Sequence, residues 1–71
     1  MPITEIKMIG TNVKRLRQEK GFSQEKLSKL ADVSLNTIFK IETEETPNPT
    51  IETVQKIARA LGVGVEELLK C

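Results

Sequence analysis

The sequence predicts an all-α fold: a compact bundle of five short helices forming one domain over residues 1–71. Three observations carry this. Apolar residues recur at steps of three and four through most of the chain, the period of a helix with one buried side. Capping residues (Ser23, Ser34, Thr50) and stop residues (Gly21, Asp32, Gly62) bracket these stretches at helix-length intervals. No segment alternates apolar and polar residues for long enough to suggest a sheet.

The first helix grows out of a short N-terminal segment, residues 1–8, with Ile6, Ile9, Val13 and Leu16 as its apolar side. Lys14, Arg15, Arg17 and Lys20 occupy much of the remainder, and Gly21 supplies a natural stop. In FSQEKLSKLA, Ser23 caps a second helix whose expected buried stripe is Leu27, Leu30 and Ala31. That helix ends near Ala31, where Asp32 tolerates a left-handed backbone better than most residues other than glycine. Ser34 caps the third helix, SLNTIFKIE, with Ile38 and Ile41 inward. After an irregular TEETPNP segment, Thr50 caps a fourth helix, with Ile51, Val54, Ile57, Ala58 and Leu61 expected to turn inward. Glu52 sits favourably for the dipole of that helix. Gly62 ends it, and VEELLK gives a final turn or two after Val63 and Gly64.

Composition narrows the chemistry. At 71 residues the chain is near the lower limit at which a hydrophobic core suffices without metal or disulfides. It has no histidine, and its one cysteine, Cys71, is the last residue. This removes His-based acid–base catalysis, Cys/His zinc sites and an intrachain disulfide, and no cofactor or metal is expected. Cys71 reads as an exposed terminal residue in preference to a redox centre. With no nucleophile–base constellation, the sequence argues against an enzyme. No apolar run approaches the ~20 residues that span a bilayer. MPITEIKMIG lacks both the basic leader and the apolar stretch of a signal peptide, so a cytoplasmic protein with no membrane partner is expected. Charge is unevenly placed: residues 1–40 carry eight Lys/Arg against four Asp/Glu, a net +4, whereas residues 41–71 carry three against six, a net −3. A basic half suits an anionic partner, and equally an ordinary solvated face.

The stretch LADVSLN joins the second and third helices too tightly for the chain to reverse, which forces a corner. Two helices meeting at ~90–120° across about three residues form a helix-turn-helix unit, here at about residues 23–43. The corner leaves the outer side of the third helix exposed while its inner side is anchored, and a protruding helix of this width fits the major groove of B-DNA.

At this point the chain resembles a family. SQEKLSKLADVSLNTIFKIE is similar to the helix-turn-helix of the Cro/repressor-type (Xre-like) regulators. VKRLRQEKGFSQ resembles that family's first helix and the lead into its second, and PTIETVQKIARALGV its fourth helix and stop, so the likeness covers roughly residues 9 to 70. The resemblance implies a lambda-repressor-like fold and a small transcriptional regulator, a repressor. It further implies sequence-specific binding to double-stranded DNA, with the recognition helix 34–42 in the major groove and a weak homodimer on a short palindromic operator. Two alternatives stay open: a protein-interaction module of the same fold with weakened DNA binding, and a small antitoxin or restriction-control regulator.

Carried over residue by residue, the DNA-facing set implied is Ser23, Gln24, Ser34, Leu35, Asn36, Thr37, Lys40 and Thr43. Gln24 matches a position whose amide touches a phosphate. Asn36 has the groups to pair bidentately with adenine, Lys40 to reach guanine or a phosphate, and Leu35 to pack on a thymine methyl. The bland alternative for Asn36 is service to the backbone near a helix start. Arg17 and Glu42 match a pair that links the first helix to the end of the third, an orienting role. Stranding one partner costs ~3–5 kcal/mol if the pair is buried, whereas an exposed pair contributes at most about 1 kcal/mol.

The chain also departs from the family pattern. Asp32 stands at a turn position that is usually Gly, and Leu35 replaces a common Gln, so an amide contact from Gln24 to that position is lost. Glu44 and Glu45 occupy a loop that in relatives is basic and clamps phosphates, so either this loop turns away from DNA or its carboxylates weaken or abolish binding. Phe39 falls off the Ile38/Ile41 stripe, either to meet sugar or a thymine methyl or to fold over the following loop; the latter is favoured. In the last helix, Val65, Leu68 and Leu69 exceed what a small core needs and form the expected dimer contact, the alternative being that Leu68 and Leu69 cap the core.

Overall fold

The computed structural model describes the backbone of residues 8–43 and 49–70, and side chains from Ile9 onward within these segments. The expectations placed on Ile6, on Glu44 and Glu45 and on Cys71 lie outside the described residues. The described chain is α1 (Met8–Glu19), α2 (Gln24–Ala31), α3 (Leu35–Glu42), α4 (Ile51–Leu61) and α5 (Val65–Leu69), with no strand among the described residues. None of these helices is long and apolar enough to cross a membrane.

The helices begin and end for identifiable reasons. Ser23, Ser34 and Thr50 each hold an extended backbone and accept a hydrogen bond at the side-chain oxygen from the amide three residues on, namely Lys26, Thr37 and Thr53. One otherwise orphaned N–H is satisfied at each start. Three helices also end in one way. Phe22 N donates to Arg17 O and Gly21 N to Gln18 O at the end of α1; Val33 N to Ser28 O and Asp32 N to Lys29 O at the end of α2; Val63 N to Ala58 O and Gly62 N to Arg59 O at the end of α4. This paired pattern needs a left-handed residue, supplied by Gly21 at φ 75°, Asp32 at φ 60° and Gly62 at φ 73°. Asp32 is the one non-glycine residue with positive φ among the described residues, so the departure from the family's usual glycine is accommodated at some backbone strain.

The core is formed by Val13 and Leu16 of α1, Leu27 and Ala31 of α2, Ile38 and Ile41 of α3, Val54, Ile57, Ala58 and Leu61 of α4, and Leu68 of α5. α2 packs on both α3 and α4, and α1 spans the other side against α3, α4 and α5. Three expectations are corrected. Leu30 is half exposed, because the buried side of α2 is centred on Leu27, Ser28 and Ala31. Ser28 is admitted there because it is small and its hydroxyl donates to Glu25 O at 2.8 Å. Ile51 is largely exposed: it is the first residue of α4, one turn ahead of Val54, where the buried stripe begins. Leu68, expected at a dimer contact, is fully buried in the core and has no surface to offer a partner.

α5 is too short to be stable alone, and α1 holds it. Asn12 is buried, and its Nδ2 donates to Leu68 O at 2.9 Å and Lys70 O at 2.7 Å, capping carbonyls at the end of α5. The burial of Asn12 is not among the expectations that periodicity provides. The available signal was a polar side chain beside Val13, on the apolar side of a helix.

Candidate nucleic-acid interface

The turn between α2 and α3 is Asp32–Val33–Ser34, three residues, as the corner requires. With Ile38 and Ile41 in the core, the opposite side of α3 is left to solvent: Leu35, Asn36, Phe39, Lys40 and Thr43 are all exposed. Thr37 lies at the margin, where its hydroxyl shares a 2.8 Å hydrogen bond with Ser34 Oγ. Thr43 follows the helix, and its Oγ1 donates to Phe39 O at 2.9 Å. Ser23 and Gln24 stand at the start of α2, with Ser23 engaged as its cap. Of the expected set, then, Asn36 and Lys40 have exposed side chains with no hydrogen bond or ion pair among the described residues, whereas Ser23, Ser34, Thr37 and Thr43 also serve the backbone or one another.

The orientation of α3 is fixed at its end by a partly buried polar cluster. Glu42 receives Arg17 Nε at 2.7 Å and Nη2 at 3.1 Å on its two carboxylate oxygens, a bidentate pair. The side chains are 11% and 3% exposed, so this ion pair is largely withdrawn from solvent. Arg17 Nη1 donates to Phe22 O at 2.8 Å, which ties the pair to the loop between α1 and α2. Gln24 Nε2 donates to Glu42 Oε1 at 3.0 Å, so the first residue of α2 joins the same cluster. Three helices therefore meet at one carboxylate. Gln24, expected to meet a phosphate, has one amide N–H committed to Glu42, a partner that the sequence did not suggest. The Leu35 position makes no claim on it.

On the other flank of α3, Asn36, Thr37 and Lys40 share a shallow cleft of about 320 Å³ with Thr50 and Thr53 at the start of α4. From the sequence Thr50 has only a capping role and Thr53 none. Their placement beside Asn36 and Lys40 depends on how α4 docks. Lys26 and Lys40 are exposed, and neither takes part in an ion pair among the described residues. Exposed pairs such as Arg15–Glu19 and Lys29–Glu25 contribute little to stability. Among the described residues no group of three or more acidic, His or Cys side chains is placed to hold a metal.

A helix standing off a three-residue corner, with an exposed polar outer side and a buried clamp at its end, defines a helix-turn-helix domain of the Cro/repressor type. The chain belongs to the helix-turn-helix family, whose model matches residues 13–68. Among its relatives is the HTH-type transcriptional regulator SinR of Bacillus subtilis (strain 168), 37% identical over 62 residues, a match covering 87% of this chain and 56% of SinR. The chain thus spans little more than half the length of that relative. The cryptic phage CTXphi transcriptional repressor RstR of Vibrio cholerae is 34% identical over 62 residues, covering 87% of this chain and 55% of RstR. A crystal structure of SinR, the master regulator for biofilm formation, in complex with DNA superposes with a TM-score of 0.85 at 36% identity, covering 89% of this chain and all of that one.

Proposed function

We propose that this domain binds double-stranded DNA sequence-specifically and regulates transcription as a repressor, with α3 entering the major groove. The observation that carries the reading is the rigid presentation of α3. Its outer side offers Asn36 and Lys40 to solvent while Ile38, Ile41 and the Glu42 cluster prevent the helix from turning. Likeness to a relative solved with DNA supports it. In this reading Asn36 pairs with adenine, and Lys40 meets guanine or a phosphate. Ser23, Gln24, Ser34, Thr37 and Thr43 border the contact. The site of action is the cytoplasm.

A single recognition helix covers too few base pairs to discriminate among many genomic sites, so the reading includes a weak homodimer on a palindrome, its recognition helices ~34 Å apart. Leu69 is exposed and Val65 partly so, which leaves these two as the contact through α5.

Selection of bound sequences from a random duplex pool tests the whole. An enriched palindromic sequence is expected. On it, Asn36→Ala should lose roughly 1–3 kcal/mol and relax preference at one base pair, and Lys40→Ala should lower the salt slope by about one if it meets a phosphate. Binding without salt dependence, or no enrichment, would leave a protein-interaction module of the same fold. Sedimentation in reductant with the selected duplex tests assembly: a strict 1:1 complex, unaltered by Leu69→Ser, would rule out the dimer.

A further inference from the structure

Two large apolar side chains stand on the outer side of α3. Leu35 is 48% exposed and Phe39 46%. Four residues apart, they are neighbours along one side of the helix, and they run beside Asn36 and Lys40, which repeat the same spacing one residue on. Among the described residues, neither belongs to the core or to the partly buried residues packed against it. The fold does not require them, since α3 is already held by Ile38, Ile41 and Glu42. Single exposed apolar residues need no explanation, but a paired apolar stripe on an otherwise polar helix surface does.

What covers the stripe follows from its continuity with Asn36 and Lys40. A duplex that meets those two side chains in its major groove also meets the stripe. The base edges there present hydrogen-bonding groups and a single apolar one, the C5-methyl of thymine. Phosphates offer nothing to a Leu or a Phe. We propose that Leu35 and Phe39 together read two thymine methyls, so that the half-site contains two thymines within two base steps of each other. The reach agrees: four residues advance about 6 Å along a helix, and two base steps advance about 7 Å along the duplex. This assigns Phe39 to base reading and makes the preferred half-site A·T-rich, in keeping with an adenine opposite Asn36. The proposal rests on the DNA-binding reading above and specifies which sequence class it selects.

The test uses the duplex that the protein itself enriches from a random pool. Each thymine in turn is replaced by deoxyuridine, which removes the methyl and leaves every hydrogen-bonding group. Two positions per half-site should each lose about fourfold in affinity, the worth of one buried methyl, with the salt dependence unchanged. In Phe39→Ala one of these positions should become indifferent to the replacement, and in Leu35→Ala the other. Both side chains are exposed, so both variants should melt as the parent does, which separates lost recognition from lost folding. A selected duplex indifferent to deoxyuridine throughout, or one whose methyl dependence survives both substitutions, overturns this proposal alone and leaves the stripe to a protein contact. A pool with no enriched sequence overturns the DNA-binding reading and this proposal with it.

Discussion

Glu42→Ala should remove much of the stability of this domain. The Glu42 carboxylate receives Arg17 Nε at 2.7 Å, Arg17 Nη2 at 3.1 Å and Gln24 Nε2 at 3.0 Å, with its side chain 3% exposed. Truncation leaves the Arg17 guanidinium 2.8 Å from Phe22 O, a hydrogen bond but no counter-charge, and strips the Gln24 amide of its acceptor. Stranding one member of a buried pair costs about 3–5 kcal/mol. A domain of this length has about 4–10 kcal/mol in total. At an m-value of ~1 kcal/mol per M, the urea midpoint should fall by about 3 M or more, or the variant should be largely unfolded in buffer. Arg17→Ala should behave alike, for the reciprocal reason. The double variant Arg17→Met/Glu42→Leu should regain most of the stability, because an apolar pair of similar volume avoids the desolvation that the ion pair suffers. It should not regain DNA affinity if the cluster is what aims α3. Stability of the parent should respond weakly to salt, since a buried pair is little screened. A loss below about 1 kcal/mol for Glu42→Ala, the range of exposed pairs, would refute the assignment of the cluster as buried and structural.

Asn12→Ala should cost roughly 1–3 kcal/mol by leaving carbonyls at the end of α5 without donors, and amide exchange should accelerate selectively in α5; uniform acceleration would show that Asn12 does not act through that helix. Asp32→Gly should raise the melting temperature by about 4–8 °C by relieving about 1 kcal/mol of left-handed strain, whereas Asp32→Ala, which keeps a Cβ and loses the polar group, should lower it. Leu68→Ala should cost about 2–5 kcal/mol through the cavity it leaves, while Leu69→Ser should stay within roughly 0.5 kcal/mol in urea titrations; equal effects would contradict the burial of one and the exposure of the other.

How much of this was legible in the sequence follows from the range over which each determinant acts. Helix starts and stops depend on groups within a few residues: a hydroxyl reaching the amide three positions on, or a left-handed residue closing the last turn. Ser23, Ser34, Thr50, Gly21, Asp32 and Gly62 could therefore be assigned without a structure, and the three-residue corner with them. The Arg17–Glu42 pair joins helices far apart in the chain, and it was reached through family resemblance and not through spacing. Periodicity shows that a helix has an apolar side but not where its neighbours cover it. That is why Leu30 and Ile51 were expected inside and lie outside, and why Ser28 and Asn12 are buried. In α2 the contact with α3 and α4 is centred one residue away from the most apolar stripe, and in α4 it starts a turn after the helix does. Sequence likewise left the adjacent Leu68 and Leu69 equivalent. Docking of α5 against α1 separates them, sending one into the core and leaving the other at the surface. The union of Gln24 with Glu42, and of Asn36 and Lys40 with Thr50 and Thr53, was decided only by packing, because each joins residues on different helices whose relative placement no local rule contains.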